Sequence, residues 1–91
     1  MIVARRYVVT GQVQGVGFRF FTQDVARREN LRGYVRNLTD GRVETLATGD
    51  AEAVARFERA IRQGPPHADV TDMTIDDHPA DLALMGFEIQ V

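Results

Sequence analysis

A glycine-rich segment followed by an arginine is the part of this chain whose residue types most clearly suggest chemistry. Residues 11–19 read Gly-Gln-Val-Gln-Gly-Val-Gly-Phe-Arg, an order typical of a strand end, a tight turn and the start of a helix. Such a turn directs several backbone N–H groups at one point, beside the positive end of a helix dipole. Arg19 adds a permanently charged guanidinium with a fork of donors. The segment therefore predicts a site for one phosphate or carboxylate group.

The helix predicted after this turn has no side chain that could cap it. Residues 16–21 contain no Ser, Thr, Asn or Asp, so the leading N–H groups have no partner within their own segment. A bound anion could satisfy them, and so could water. Gly15 and Gly17 permit positive φ and the close approach of a ligand, although a tight turn alone would also account for each. The segment is not a nucleotide loop, because it lacks the Gly-Lys-Ser/Thr ending and the third glycine of the dinucleotide fingerprint.

Asn37 is the second candidate site residue. We expect it at the end of a strand, on the same face as Val35 and beside an Asp40-Gly41 hairpin turn. A β-α-β unit would bring this strand end close to the start of the preceding helix. The side-chain amide offers a donor and an acceptor, so it could orient a water molecule. The alternative is an asparagine that bonds only to its own hairpin backbone.

The elements that must position these residues follow from hydrophobic periodicity and turn signals. They are strands at 5–13, 32–38, 42–48, 68–76 and 87–91, helices at 18–30 and from an Asp50 N-cap to Gly64-Pro65-Pro66, and a loop at 78–84. The order β-α-β-β-α-β with a terminal strand predicts an α+β fold. Its simplest packing is the ferredoxin-like sandwich, an antiparallel sheet with two helices on one face, formed by residues 1–91 as a single domain.

Composition excludes several classes of function. The 91 residues contain no cysteine, which excludes disulfides, a thiolate nucleophile and cysteine metal sites. The net charge of −2 argues against a general nucleic-acid binder, yet residues 1–45 carry +4 and residues 46–91 carry −6. The residues before Arg5-Arg6 are too few for a signal peptide or a membrane span. We expect a cytoplasmic monomer that binds neither nucleic acid nor membrane.

Two segments resemble the signatures of the acylphosphatase family. Residues 13–19 are similar to the first signature, and Gly33-Tyr34-Val35-Arg36-Asn37 followed by Gly41-Arg42-Val43 and Gly49 is similar to the second. The resemblance extends over essentially the whole chain. It implies a ferredoxin-like enzyme that hydrolyses the carboxyl–phosphate bond of small acyl phosphates, with no metal or organic cofactor. It assigns phosphate binding to Gln14, Gly15, Val16, Gly17, Phe18 and Arg19, makes Arg19 the side-chain ligand, and assigns the positioning of water to Asn37. Arg19 and Asn37 are thus the expected catalytic residues.

Two other functions are compatible with the predicted fold. RNA-recognition domains share the element order, but they need stacking aromatic residues on their central strands, and residues 42–48 contain none. A regulatory domain could bind an anion without turnover, and similar domains occur within larger maturation proteins. Because the sequence runs from Met1 to Val91 without a linker, we expect a free-standing enzyme. The acyl group of its substrate is not specified by these residues.

Overall fold

The computed structural model describes residues 1–81 and 83–91, and within them it contains five strands and two helices. The strands are β1 (Ile2–Gln12), β2 (Arg32–Asn37), β3 (Val43–Asp50), β4 (Asp69–His78) and β5 (Phe87–Gln90), and the helices are α1 (Phe18–Arg28) and α2 (Ala51–Gln63). The strands form one sheet in the order β4-β1-β3-β2-β5. Neither helix in this part of the chain has the length and apolar character needed to cross a membrane.

The predicted ferredoxin-like sandwich is confirmed, with α1 and α2 packed on the sheet. The sheet itself differs from the prediction because it is mixed rather than wholly antiparallel. β5 lies parallel to β2, with Gly33 opposite Phe87. β4 and β5 occupy opposite edges, so β5 is not the return strand of a hairpin and can align with β2. β4 also continues to His78, into the predicted 78–84 loop, of which residue 82 lies outside the described residues.

The core lies between the helices and the sheet. The helical spacing of Val54, Phe57 and Ile61 predicts that they share one buried face of α2, and this is confirmed because all three are fully buried. The Phe57 ring packs between Tyr7 on β1 and Phe87 on β5, with ring centroids 5.8 and 5.9 Å away. Burying one such side chain contributes about 1.5–3 kcal/mol. This cluster fixes α2 over the sheet, and Phe18, Val25 and Ala26 anchor α1 in the same core.

On the other face of the sheet, a buried carboxylate pairs with two arginines. Arg6 Nε and Arg36 Nε each donate to Glu44 at 2.6 Å, and the Tyr34 hydroxyl donates at 3.3 Å. The Glu44 side chain is 5% exposed. Burial raises the pKa of Glu44, but the hydrogen bonds and charges of Arg6 and Arg36 outweigh burial and leave the pKa below its usual value of 4.5.

We predict that Glu44→Gln lowers the free energy of unfolding by about 2 kcal/mol at neutral pH, because it removes charge-assisted hydrogen bonds within the sheet. Folding lowers the pKa of this carboxylate, so the ionised group stabilises the fold at any pH above the pKa that it has in the unfolded chain. That contribution disappears as the pH falls through the lower folded pKa. Urea titrations near pH 7 and about pH 3 should therefore show the variant and the wild type converging in acid.

The exposed Glu88, whose nearest arginine nitrogen is 3.9 Å away, provides the control variant Glu88→Gln. We expect it to change stability by less than about 0.5 kcal/mol. Equal losses in the two variants would contradict a special role for the Glu44 cluster.

Candidate active site

The glycine-rich turn and Asn37 lie at the same end of the sheet, where β1 and β2 both finish. β1 ends at Gln12, immediately before the turn, and β2 ends at Asn37. A right-handed crossover through α1 brings the start of α1 and the end of β2 together. The Gln14 side chain links them, because its Nε2 donates to the carbonyls of Leu38 at 2.8 Å and Arg42 at 3.0 Å. Gln14 therefore fastens the turn to the β2–β3 hairpin.

The turn leaves the first N–H groups of α1 unpaired. Gly15 and Gly17 have φ values of 75° and 80°, and a Cβ at either would meet no atom within 4 Å, so the turn is open on that side. Gly17 is the N-cap residue and supplies no side-chain hydrogen bond. The first bond of the helix runs from Phe21 N–H to the Gly17 carbonyl at 3.0 Å. The N–H groups of residues 15–20 donate no hydrogen bond, in a turn or at the helix cap, to any backbone carbonyl of the described residues.

α2 begins in a different way, as the sequence predicts. The Asp50 carboxylate accepts from Glu52 N–H at 3.2 Å, and Glu52 places a negative charge in the first turn. The positive end of the α2 dipole is thus satisfied by the chain itself. α1 has neither a capping side chain nor an acidic residue in its first turn. Its N-terminus is therefore suited to an external anion.

These groups surround a cavity of about 200 Å³. Its lining residues are Val13, Gly15, Gly17, Phe18, Arg19, Phe20 and Asn37. Five of the seven predicted site residues belong to this lining. The other two do not, since the Gln14 side chain bonds to the hairpin and Val16 packs against the core. The two parts of the candidate site are thus brought together, while their chemical roles stay predictions.

Arg19 differs from most other arginines because no carboxylate neutralises it. Arg28 pairs with Asp24 at 3.4 Å, and Arg42 pairs with Asp40 at 2.7 Å. Within residues 1–81 and 83–91, Arg19 has no ion-pair or hydrogen-bond partner. Its half-buried guanidinium can therefore donate its fork of N–H groups to an anion in the cavity.

The side chain of Asn37 does not serve the hairpin. Its Oδ1 is buried and accepts no hydrogen bond from any described group. The hairpin is closed by other bonds, from Leu38 N–H to the Arg42 carbonyl at 2.8 Å and from Arg42 N–H to the Asp40 carboxylate at 3.1 Å. An unsatisfied buried acceptor costs about 1–3 kcal/mol. Of the described side-chain atoms that share this condition, Thr22 Oγ1, Asn37 Oδ1 and Thr48 Oγ1, only that of Asn37 belongs to a residue that lines the cavity.

The described lining of the cavity contains no Asp, Glu or His. Asp24 is exposed on α1, and Asp40 lies in the hairpin turn. His67 and His78 are both exposed and lie outside the lining; His78 ends β4 instead of sitting in the predicted loop. Across the described part of the chain, no group of three His, Asp or Glu side chains is placed to hold a metal ion. The site therefore offers donors and a cation rather than an ionisable base.

The lining also contains two residues that the sequence did not predict for the site, Val13 and Phe20, and of these Phe20 has the unusual exposure. Its side chain is 68% exposed, whereas Val13 and Phe18 in the same lining are each 1% exposed. A signal was present in the sequence. The buried residues of α1 are Phe18, Thr22, Val25 and Ala26. Phe20 falls outside that stripe, and a large apolar residue out of phase with the core face is unusual in an amphipathic helix.

Sequence and structure comparisons agree on one family. The family model described as Acylphosphatase matches residues 5–89. An acylphosphatase from Acidiphilium cryptum is 49% identical over 82 residues, which are 88% of this chain and 90% of that protein. The crystal structure of acylphosphatase from Bacillus subtilis has a TM-score of 0.94 at 40% identity and covers both chains fully. The crystal structure of T. kodakarensis HypF matches with a TM-score of 0.85 at 32% identity, over 98% of this chain but 12% of that longer one.

We predict that Gln14→Ala weakens phosphate binding about tenfold, because two hydrogen bonds worth about 1 kcal/mol each no longer fasten the turn to the hairpin. Calorimetric titration with inorganic phosphate would measure the dissociation constant. The matched control is Gln63→Ala, which removes an exposed glutamine at the end of α2. Unchanged phosphate affinity in Gln14→Ala would show that the turn keeps its shape without this anchor.

Proposed function

The chain belongs to the acylphosphatase family, and we propose that it hydrolyses acyl phosphates in the cavity between the glycine-rich turn and Asn37. One observation carries this assignment to the cavity. Groups suited to an anion, namely free N–H groups and the Arg19 guanidinium, lie beside the buried and unsatisfied Oδ1 of Asn37. The first set fits a phosphate, and the second fits the water that attacks it.

Phosphate binding would use the N-terminus of α1. The N–H groups of residues 17–19 belong to residues that line the cavity, have no backbone partner in a turn or cap, and lie at the positive end of the helix dipole. The Arg19 guanidinium can bond two phosphate oxygens at once. Phosphoryl transfer spreads charge over the equatorial oxygens in the transition state, so the same donors stabilise that charge.

Asn37 would position the attacking water. Water donates one hydrogen bond to the Asn37 side-chain oxygen and directs a lone pair at phosphorus. The water oxygen forms a bond to phosphorus while the bond from phosphorus to the acyl oxygen breaks, and the departing carboxylate keeps the electron pair. Both protons of the water end on phosphate oxygens. The products are a carboxylate and inorganic phosphate.

No side chain is needed as a general base in this scheme. The described lining offers no Asp, Glu or His, whereas the bound phosphate itself can accept a proton from the water. The leaving carboxylate is weakly basic and needs no protonation. The enzyme's main contribution is then to hold the phosphate, align the water and stabilise charge.

A domain that binds an anion without turnover is the alternative, because a similar domain forms a small part of the longer HypF chain. The Asn37 oxygen favours an enzyme. The amide of Asn37 carries N–H donors as well as the unpartnered oxygen, and that oxygen, an acceptor, suits a water molecule better than a phosphate dianion. We further propose a cytoplasmic monomer that acts without nucleic acid or membrane, and the net charge of −2 supports the exclusion of nucleic acid.

We predict that Arg19→Ala lowers phosphate affinity and turnover of acetyl phosphate by at least about 100-fold, since each charge-assisted hydrogen bond is worth about 1.5–3 kcal/mol. Arg19→Lys should recover little of this loss, because an ammonium does not reproduce the guanidinium fork. The assay measures release of inorganic phosphate. Arg59→Ala, at an exposed arginine of α2 outside the cavity, should behave as wild type. Full activity of Arg19→Ala would place the reaction elsewhere.

We predict that Asn37→Ala lowers kcat by about 100-fold or more, the effect of removing one preorganised hydrogen-bonding group. Inhibition by inorganic phosphate should stay close to wild type, because Asn37 acts on the water. Steady-state kinetics with phosphate as inhibitor separates the two effects. If Asn37→Ala weakened phosphate binding as much as Arg19→Ala, the division of roles between them would be wrong.

A further inference from the structure

We propose that Phe20 contacts the acyl group of the substrate, so that the enzyme favours acyl phosphates with an apolar and above all an aromatic acyl group. The proposal rests on the function proposed above and adds a substrate class to it. Two observations support it, the exposure of Phe20 and its place in the cavity lining, together with the direction in which the leaving group departs in the proposed mechanism.

The position of Phe20 on α1 has no explanation in core packing. Phe18 is 1% exposed and faces the core, and two residues further along an α-helix the side chain is rotated by about 200°. Phe20 consequently points away from the core and is 68% exposed. Among the described residues that line the cavity, it is the one apolar side chain that is exposed. An aromatic ring is thus presented at the rim of the cavity that Arg19 and Asn37 also line.

The stereochemistry of displacement places the acyl group on the side away from Asn37. The attacking and leaving oxygens lie roughly in line through phosphorus. If the Asn37 amide holds the water, the carboxylate must leave on the opposite side of the phosphate. Arg19 and the turn N–H groups occupy the phosphate itself. Among the lining side chains that this scheme assigns to neither the phosphate nor the water, Phe20 is the exposed one, whereas Val13 and Phe18 are buried.

A second hollow, of about 440 Å³, adjoins the cavity at Asn37, which lines both. It lies over the β2–β3 hairpin and includes Arg36 and Arg42. Both guanidiniums are already paired, with Glu44 and Asp40 respectively. This hollow lies on the water side of the phosphate and would admit water rather than the acyl group.

The test compares kcat/KM for benzoyl phosphate and acetyl phosphate, which share the phosphate and differ in the acyl group. We expect Phe20→Ala to lower kcat/KM for benzoyl phosphate about tenfold, the value of one aromatic contact, and to change acetyl phosphate less than about twofold. Phe20→Leu, which keeps an apolar side chain, should lose less than Phe20→Ala. Inhibition by inorganic phosphate should be unchanged in both variants.

Two controls isolate the ring contact. Met85→Ala removes another exposed apolar side chain, outside the cavity lining, and Arg42→Ala alters the second hollow; neither should change the ratio of the two substrates. The proposal would be overturned if Phe20→Ala left the ratio of kcat/KM for the two substrates unchanged, or if that ratio responded to Arg42→Ala instead. Either result would leave the hydrolase assignment intact. A wild-type protein that hydrolyses neither compound would overturn the proposed function and this inference together.

Discussion

The unpaired N–H groups at the start of α1 are the constraint on which the site depends. A helix N-terminus carries a partial positive charge, and the chain neutralises the one at α2 with Asp50 and Glu52 but leaves the one at α1 without a cap. An N-cap is worth about 1 kcal/mol of stability. The omission at α1 therefore sacrifices local stability and leaves N–H groups to which a bound anion could bond. A favourable cap at α1 would stabilise the helix and compete with the ligand.

The rest of the fold holds the N-terminus of α1 in place and pairs the charges of several other arginines. The sandwich core sets α1 over the sheet, and the Gln14 amide ties the turn to the hairpin that carries Asn37. Arginines on the face of the sheet opposite the helices are paired with carboxylates, as Arg6 and Arg36 are with Glu44. Because these charges are paired, the guanidinium of Arg19 stands out as a cation available to a ligand. Catalysis by positioning needs such a fixed and preorganised arrangement.

The cavity combines two kinds of recognition that follow different physical rules. Donors at the turn and at Arg19 are directional and suit any phosphate, so they carry little information about the group attached to it. Apolar contact is not directional and depends on the area covered, which makes an exposed ring such as Phe20 a means of selecting among acyl groups. A small site can thereby require a phosphate group and still bind different acyl groups with different affinities.

The sequence by itself determined the features that depend on neighbours along the chain. These include the order of elements, the uncapped start of α1, the Asp50 cap, and the α2 stripe of Val54, Phe57 and Ile61, because periodicity and capping are local signals. The resemblance of two short segments also pointed to Arg19 and Asn37. Only the tertiary structure decided the parallel alignment of β5 and the Gln14 bonds across 24 and 28 residues. It likewise revealed the unneutralised Arg19, the unsatisfied Asn37 oxygen and the ring at the cavity rim. Such features arise from which strands and charges become neighbours in space, and local spacing does not encode that.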